Sequence, residues 1–247
     1  MWNKEQIKDH IDTAALLHQI IIESLDFIKQ KKYIATEFEV CNFVLNQFKK
    51  NDLVSDKERP IVAFGKNTSF VHYYPDANSS KTLAKNDLIM IDIWARKNKK
   101  GSPYADITWM AFCGSEVPAS IKTIFNHVIT ARDKAIVYLE EQLRTNVIPD
   151  GRKVDSVPRE YFSKYGLSDN FLHSTGHSIG HRLSPHGRYG HIKKSNKKSL
   201  TENLGYTIEP GLYFKNQFGI RSEIDFIVID NEVKITTLVQ KKITIID

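Results

Sequence analysis

Four acidic residues stand in apolar surroundings at matched spacing. Asp92 and Asp106 are fourteen residues apart, and so are Glu209 and Glu223. The stretches around them, LIMIDIW with YADITWMAF and YTIEPGLY with GIRSEIDFIVI, each read as two strands joined by a short polar loop. A hairpin with matched arms sets Asp92 opposite Asp106 with its turn near Lys99, Lys100 and Gly101, and Glu209 opposite Glu223 with its turn near Asn216. Like charges facing each other on a sheet destabilise it unless something binds between them. In a sheet interior they must take up protons or find a strong counter-charge. Divalent cations supply that charge. With His177 between the pairs, four carboxylates and one imidazole match a site for two fairly hard divalent metals. Any one of these acids alone reads as a solvated residue at a strand end; two matched pairs do not.

Histidines add to the pattern. Five of the nine lie between residues 173 and 191, in HSTGHSIGHRLSPHGRYGH. If HSTGHSIGH is extended, His173, His177 and His181 share a face, although one ligand among them suffices. His186 follows Pro185, and His72 lies in SFVHYYP, both near loops where a ring can reach into a cleft. Taken singly, each is an ordinary turn or surface histidine.

The elements that must position these groups repeat one plan. DTAALLHQIIIESLDFIKQ and ATEFEVCNFVLNQFKKN carry helical periodicity before the aspartate hairpin, and SIKTIFNHVITARDKAIVYLEEQL and VDSVPREYFSKYG do so before the glutamate hairpin. The chain therefore reads as one α+β domain over 1–247, internally duplicated at approximately 1–112 and 113–247. Its halves would join their strands into one curved antiparallel sheet covered by helices, with the acids on the inner face.

Composition excludes several classes. A hydrophobic fraction of 41% with 26% charged residues fits a folded globular chain rather than a disordered one. No apolar run approaches the roughly 18 residues needed to span a bilayer, and the first residues lack the pattern of a secretory signal. No membrane association and a cytoplasmic location are expected. Cys41 and Cys113 sit among apolar residues and read as reduced, space-filling thiols. The net charge of +6 is carried partly by KNKK (97–100) and KKSNKK (193–198), which lack interleaved aromatics and read as solvated loops rather than as a nucleic-acid surface.

VHYYP, the IDI and YADIT segments, HSTGHSIG, IEPGLY and FGIRSEID together resemble the pita-bread metallopeptidases, the family of Xaa-Pro aminopeptidases, prolidases and methionine aminopeptidases. The pieces occur in the family's order, and TEFEV with the first helix matches its opening, so the resemblance covers essentially the whole chain. It implies the pita-bread fold and two divalent ions, manganese or cobalt first, with zinc or iron also suited. Asp92 would chelate one ion, Asp106 and Glu223 would bridge both, and His177 with Glu209 would complete the second. Glu209 would shuttle a proton, His72 and His186 would bind the scissile amide and the tetrahedral oxygen, and Arg221 would join the substrate-binding residues.

The reaction implied is hydrolysis of the N-terminal Xaa-Pro bond of short peptides through a metal-bridging hydroxide. HY after Val71, IEPGLY, Arg221 and the short gap between the glutamates point to the Xaa-Pro enzymes. The alternatives are a methionine aminopeptidase and a non-catalytic peptide- or protein-binding relative; a homodimer stays open. Departures from the pattern are His181 for a common Leu, Trp109 for an Arg and Ile224 for an acid. His186 also stands two residues late, as if Ser184 and Pro185 were inserted. A cleft that no N-terminal domain covers is expected to be open and to prefer tripeptides and longer substrates to dipeptides.

Overall fold

The computed structural model describes every residue except Lys32, Tyr33, Glu58 and Tyr189. The chain opens with helix α1 (Lys4–Gln30), started by a capping box in which the Asn3 side chain accepts from Gln6 N–H and the Gln6 side chain from Asn3 N–H. Helix α2 (Glu37–Lys50) begins the same way on Thr36 and Glu39. Strands β1 (Leu53–Val54), β2 (Ile61–Phe64), β3 (Leu88–Lys97) and β4 (Tyr104–Cys113) follow, then helices α3 (Ala119–Arg144) and α4 (Gly151–Lys164). Strands β5 (Gly205–Ile208), β6 (Gly211–Phe214), β7 (Phe218–Arg221), β8 (Ile224–Ile229), β9 (Glu232–Ile235) and β10 (Thr244–Ile246) complete the fold. Each half thus runs two helices before its hairpin. Among the described residues no helix is long and apolar enough to cross a membrane.

The strands pair in three ladders: a five-stranded sheet of β1 to β4 with β10, a three-stranded sheet of β5, β8 and β9, and the pair β6 and β7. One neighbour relation departs from the expected antiparallel order, since β10 runs parallel to β4. Period-two alternation sorts the faces. On β3 and β4, Ile89, Ile91, Ile93, Ala105, Ile107 and Ala111 pack under α1 and α2, while Asp92, Trp94, Asp106 and Thr108 take the other face. In the second half Tyr206, Ile208, Ile224, Phe226 and Val228 pack beneath α3, and the intervening residues face inward.

The glutamate hairpin holds the expected register. Gly205 pairs with Ile227 and Gly211 with Arg221, with Asn216 in the left-handed region at the turn. Glu209 and Glu223 fall in the break between these ladders. The aspartate hairpin differs: Asp92 pairs with Thr108 and Trp94 with Asp106, so the two acids are diagonal neighbours on one face rather than directly opposed. The turn explains the shift. Ser102 N–H closes on Lys99 O at 3.2 Å, and Gly101 takes the position with φ of +81°, one that suits only residues tolerant of positive φ.

The KNKK turn is solvated, with residues 98–100 exposed, and Lys97 and Lys99 are also ion-paired. Lys97 pairs with Asp9 at 3.1 Å and Asp12 at 2.7 Å, and Lys99 with Glu5 at 2.5 Å and Asp9 at 3.1 Å, clamping the hairpin tip to α1. Cys41 and Cys113 are buried and unbridged.

His10 on α1 is fully buried. Its Nδ1 lies 2.7 Å from Tyr104 O, so this nitrogen carries the proton, and Nε2 accepts from Thr236 Oγ1 at 2.7 Å. Burial pushes its pKa down to about 4. The unfolded chain therefore binds a proton that the native chain refuses between about pH 6.5 and 4, and stability falls as pH falls through that window, by about 3 kcal/mol in all. Urea titrations from pH 7 to 4 should show this loss shrinking in H10Q, whose amide can keep both bonds without titrating; an unchanged slope would refute the assignment.

Candidate metal centre and cleft

The inner faces of both halves meet at a cavity of about 360 Å³. Asp92, Asp106, His177, Glu209 and Glu223 line it, together with Arg221. Asp106, His177 and Glu223 each offer a donor atom within 4.8 Å of the other two. The two sheets are joined directly beneath them, where Asp106 N–H donates to Asp225 Oδ2 at 2.8 Å. Thr108, opposite Asp92, donates to Glu223 Oε2 at 2.8 Å.

His177 reaches the acids on a segment with little regular structure that runs along the edge of β5. Thr207 N–H donates to His177 O at 2.9 Å and Glu209 N–H to Thr175 O at 2.7 Å. Gly176 makes this approach possible, because a Cβ there would stand 2.0 Å from Thr207 O. His177 Nδ1 lies 2.9 Å from Ser178 O and so holds the proton. The Nε2 lone pair is left facing Asp106 Oδ2 at 3.7 Å and Glu209 Oε1 at 3.5 Å.

The electrostatics are those of a charge cluster short of counter-charge. Burial raises the pKa of Asp106, and the neighbouring Glu223, Asp92, Asp225 and Glu209 raise it further. Burial likewise lifts Glu223, with Glu209 and Asp92 adding to it and Arg221 opposing. Glu209 is pushed up to about 7 by burial, against the pull of Arg221. Oδ1 of Asp92, Asp106 and Asp225 is buried without a hydrogen-bond partner among the described residues. Orphaned carboxylate oxygens, a free imidazole lone pair and mutual repulsion are what a divalent cation would resolve, so the Asp106, His177 and Glu223 donors fit a divalent metal ion.

Arg221 lines the cavity while bonding to its neighbours. It is buried, pairs closely with Asp92, and donates to Thr108 Oγ1 at 3.1 Å, Val71 O at 3.2 Å and the Tyr213 hydroxyl at 3.0 Å. With its guanidinium so committed, it holds Asp92 in place at the cavity wall. Tyr213 in turn lies 2.9 Å from His173 Nε2, and burial with the nearby Arg221 charge pushes His173 down to about 3. His173 lines the cavity as a neutral, hydrogen-bonded ring. His181 is exposed and does not line it, because the chain turns back at Gly180 instead of continuing extended.

His72 and His186 both line the mouth. The His186 ring stacks on His177 with centroids 3.9 Å apart. His72 is held at a distance by Glu37, a fully buried acid that accepts from Phe64 N–H at 2.6 Å, Tyr73 Oη at 2.6 Å and Lys81 N–H at 2.8 Å, fixing the segment on which His72 lies. Sequence reasoning missed Glu37, Thr108, Tyr213 and Asp225. Only Asp225 left a usable signal, since alternation puts residues 223 and 225 on one face.

Known proteins resemble nearly the whole chain. The profile of metallopeptidase family M24 matches residues 9–230. The chain belongs to that family. An uncharacterized peptidase of Staphylococcus haemolyticus is 29% identical over 235 residues, 95% of this chain and 62% of its own length. The Xaa-Pro dipeptidase of Pyrococcus furiosus is 26% identical over 240 residues, 97% of this chain and 64% of its own length. Among solved structures, an X-Pro aminopeptidase from Thermotoga maritima superposes with a TM-score of 0.83 at 26% identity, covering 99% of this chain and 64% of the other. The fold is the family's pita-bread fold. The chain spans less than two thirds of the length of these relatives.

For the M24 chain without metal, the raised carboxylates have a consequence opposite in sign to His10. Glu209 holds a proton to about pH 7 when folded but releases it near 4.5 when unfolded, so metal-free stability falls as pH rises through that window. Differential scanning calorimetry in chelator should show Tm dropping relative to that of E209Q from pH 5 to 7.5, with manganese or cobalt raising Tm most at the higher pH. Identical melting with and without metal at pH 7.5 would contradict the charge-cluster reading. D106A and E223A should each weaken metal binding in calorimetric titration.

Proposed function

We propose that this chain forms the catalytic unit of a metal-dependent exopeptidase that hydrolyses the N-terminal Xaa-Pro bond of short peptides. The observation that carries the reading is the convergence of the Asp106, His177 and Glu223 donor atoms within 4.8 Å at a cavity whose mouth is lined by His72 and His186. The names of the Pyrococcus and Thermotoga relatives support the substrate class. Asp92, Asp106, His177, Glu209 and Glu223 would hold two divalent ions, manganese or cobalt first. Bound there, the ions would supply an activated water near neutral pH and polarise the scissile carbonyl.

The residues of the chain divide the remaining work. Glu209 is the more open of the acids, its side chain 15% exposed against 5% for Asp106, and it would carry a proton from the attacking water to the leaving amine. His72 and His186 would donate to the scissile amide and to the oxygen on which charge develops. Arg221 and Thr108 would keep Asp92 and Glu223 in place, and Ile61 and Trp94 supply an apolar wall suited to a proline ring or an apolar side chain.

A metal-reconstituted screen of Ala-Pro-Ala, Ala-Pro and Met-Ala-Ser tests the reading. Ala-Pro-Ala should be cleaved at its first bond; cleavage of Met-Ala-Ser alone would make the chain a methionine aminopeptidase, and tight binding without cleavage a peptide-binding relative. E209Q should lower turnover by far more than it lowers metal content, since the amide can still ligate through its oxygen but cannot carry the proton. H72A and H186A should each lower kcat on the order of 100-fold with metal content unchanged, as expected of donors to a developing oxyanion. Normal kcat in H186A would remove that residue from the mechanism.

A further inference from the structure

One wall of the cavity is a tight reverse loop whose outer side carries uncompensated charge. Gly180 N–H donates to Pro185 O at 2.6 Å and Gly187 N–H to Ser178 O at 2.6 Å, so residues 178–187 double back on themselves. The base is pinned to both halves: Tyr104 N–H donates to Gly180 O at 2.9 Å, and Ile179 N–H to Gly205 O at 2.8 Å. Ser184, Pro185 and His186 face the cavity.

Arg182 and Arg188 flank those lining residues, and both are exposed. Among the described residues neither forms an ion pair, in contrast to Lys97 and Lys99. Burial first, and then these two cations, push the pKa of His181 down, so both guanidinium groups act on the same small region of the loop. From Gly180 to Lys198 the chain holds six lysines and arginines and no acid.

An exopeptidase that removes an N-terminal residue encloses that end of its substrate, so only the part beyond the scissile bond leaves the cavity. That part leaves beside the loop on which Arg182 and Arg188 are exposed and, among the described residues, form no ion pair. We infer that the 181–188 loop selects peptides with acidic residues downstream of the scissile bond, with Arg182 and Arg188 pairing with their carboxylates. The inference rests on the exopeptidase reading above and adds a substrate class to it. Exposed pairs contribute modestly, so the preference should be about 3- to 10-fold and sensitive to salt.

The test compares Ala-Pro-Ala-Ala, Ala-Pro-Glu-Glu and Ala-Pro-Lys-Lys on the metal-loaded protein at low and high ionic strength. The acidic peptide should have the highest kcat/KM and the lysine peptide the lowest, through KM rather than kcat, and the spread should collapse in roughly 1 M salt. R182E/R188E should invert the order. K49E/K50E, an equal charge change at the end of α2, should preserve it. Equal rates for acidic and basic peptides, or an acidic preference that survives in R182E/R188E, would overturn the inference. Failure to cleave even Ala-Pro-Ala-Ala would count against the peptidase reading by itself, and calorimetric affinities for the three peptides would then decide the charge preference by the same criteria.

Discussion

The constraint on which the rest of this structure depends is the burial of like charge. Asp106, Glu209, Glu223 and Asp225 all have raised pKa values because burial and one another penalise their charged forms. Against them and Asp92 stands one guanidinium, that of Arg221. Each buried ion costs several kcal/mol that only good geometry recovers. The fold tolerates this because the opposite face of every acid-bearing strand is packed under helices, so the apolar clusters of α1 with α2 and of α3 offset the cost. The acids are gathered by the strands and retained by the helices.

Alternation is the means by which both ends meet. In β3, β4 and β8 residues of one parity go to the helices and residues of the other to the interior, so a single strand contributes at once to the core and to the site. A one-residue slip would exchange these roles entirely. The two halves are then locked in mutual position by the bond from Asp106 N–H to Asp225, which makes the backbone of one half answer to a side chain of the other.

How much of this was legible in the sequence depended on whether the information was local. The acids stood out because carboxylates in apolar strands are chemically anomalous, and the four helices because their periodicity spans many turns. The glutamate register followed from symmetry about Asn216. The aspartate register did not, because Gly101 sets the turn and moves the pairing by enough to make Asp92 and Asp106 diagonal neighbours. The ion pairs of Lys97 and Lys99 were hidden because their partners, Glu5, Asp9 and Asp12, are nearly the whole first half away. Glu37 and His10 look like ordinary polar residues on helices, and only tertiary packing shows them buried and fully bonded. The loop from 171 to 200 was least legible. Its course is set by isolated bridges and close glycine contacts rather than by a periodic pattern, so His181 fell outside the cavity while His186 fell inside.

Arginine at position 221 shows why the site depends on geometry as well as charge. An ammonium could balance Asp92, but it could not also reach Thr108, Tyr213 and Val71 from one plane as the guanidinium does. Those bonds run outward from the site into both halves: Thr108 lies on β4 and continues to Glu223, and Tyr213 lies on β6 and continues to His173. The same logic applies to His177, whose Nδ1 proton is spent on Ser178 O so that Nε2 presents its lone pair inward. Side-chain atoms that point away from the centre are thus largely satisfied, while Oδ1 of Asp92, Oδ1 of Asp106 and Nε2 of His177 are left without donors. A set of acceptors held open in this way pays its desolvation cost during folding, so a cation entering it need not reorganise the protein to be bound.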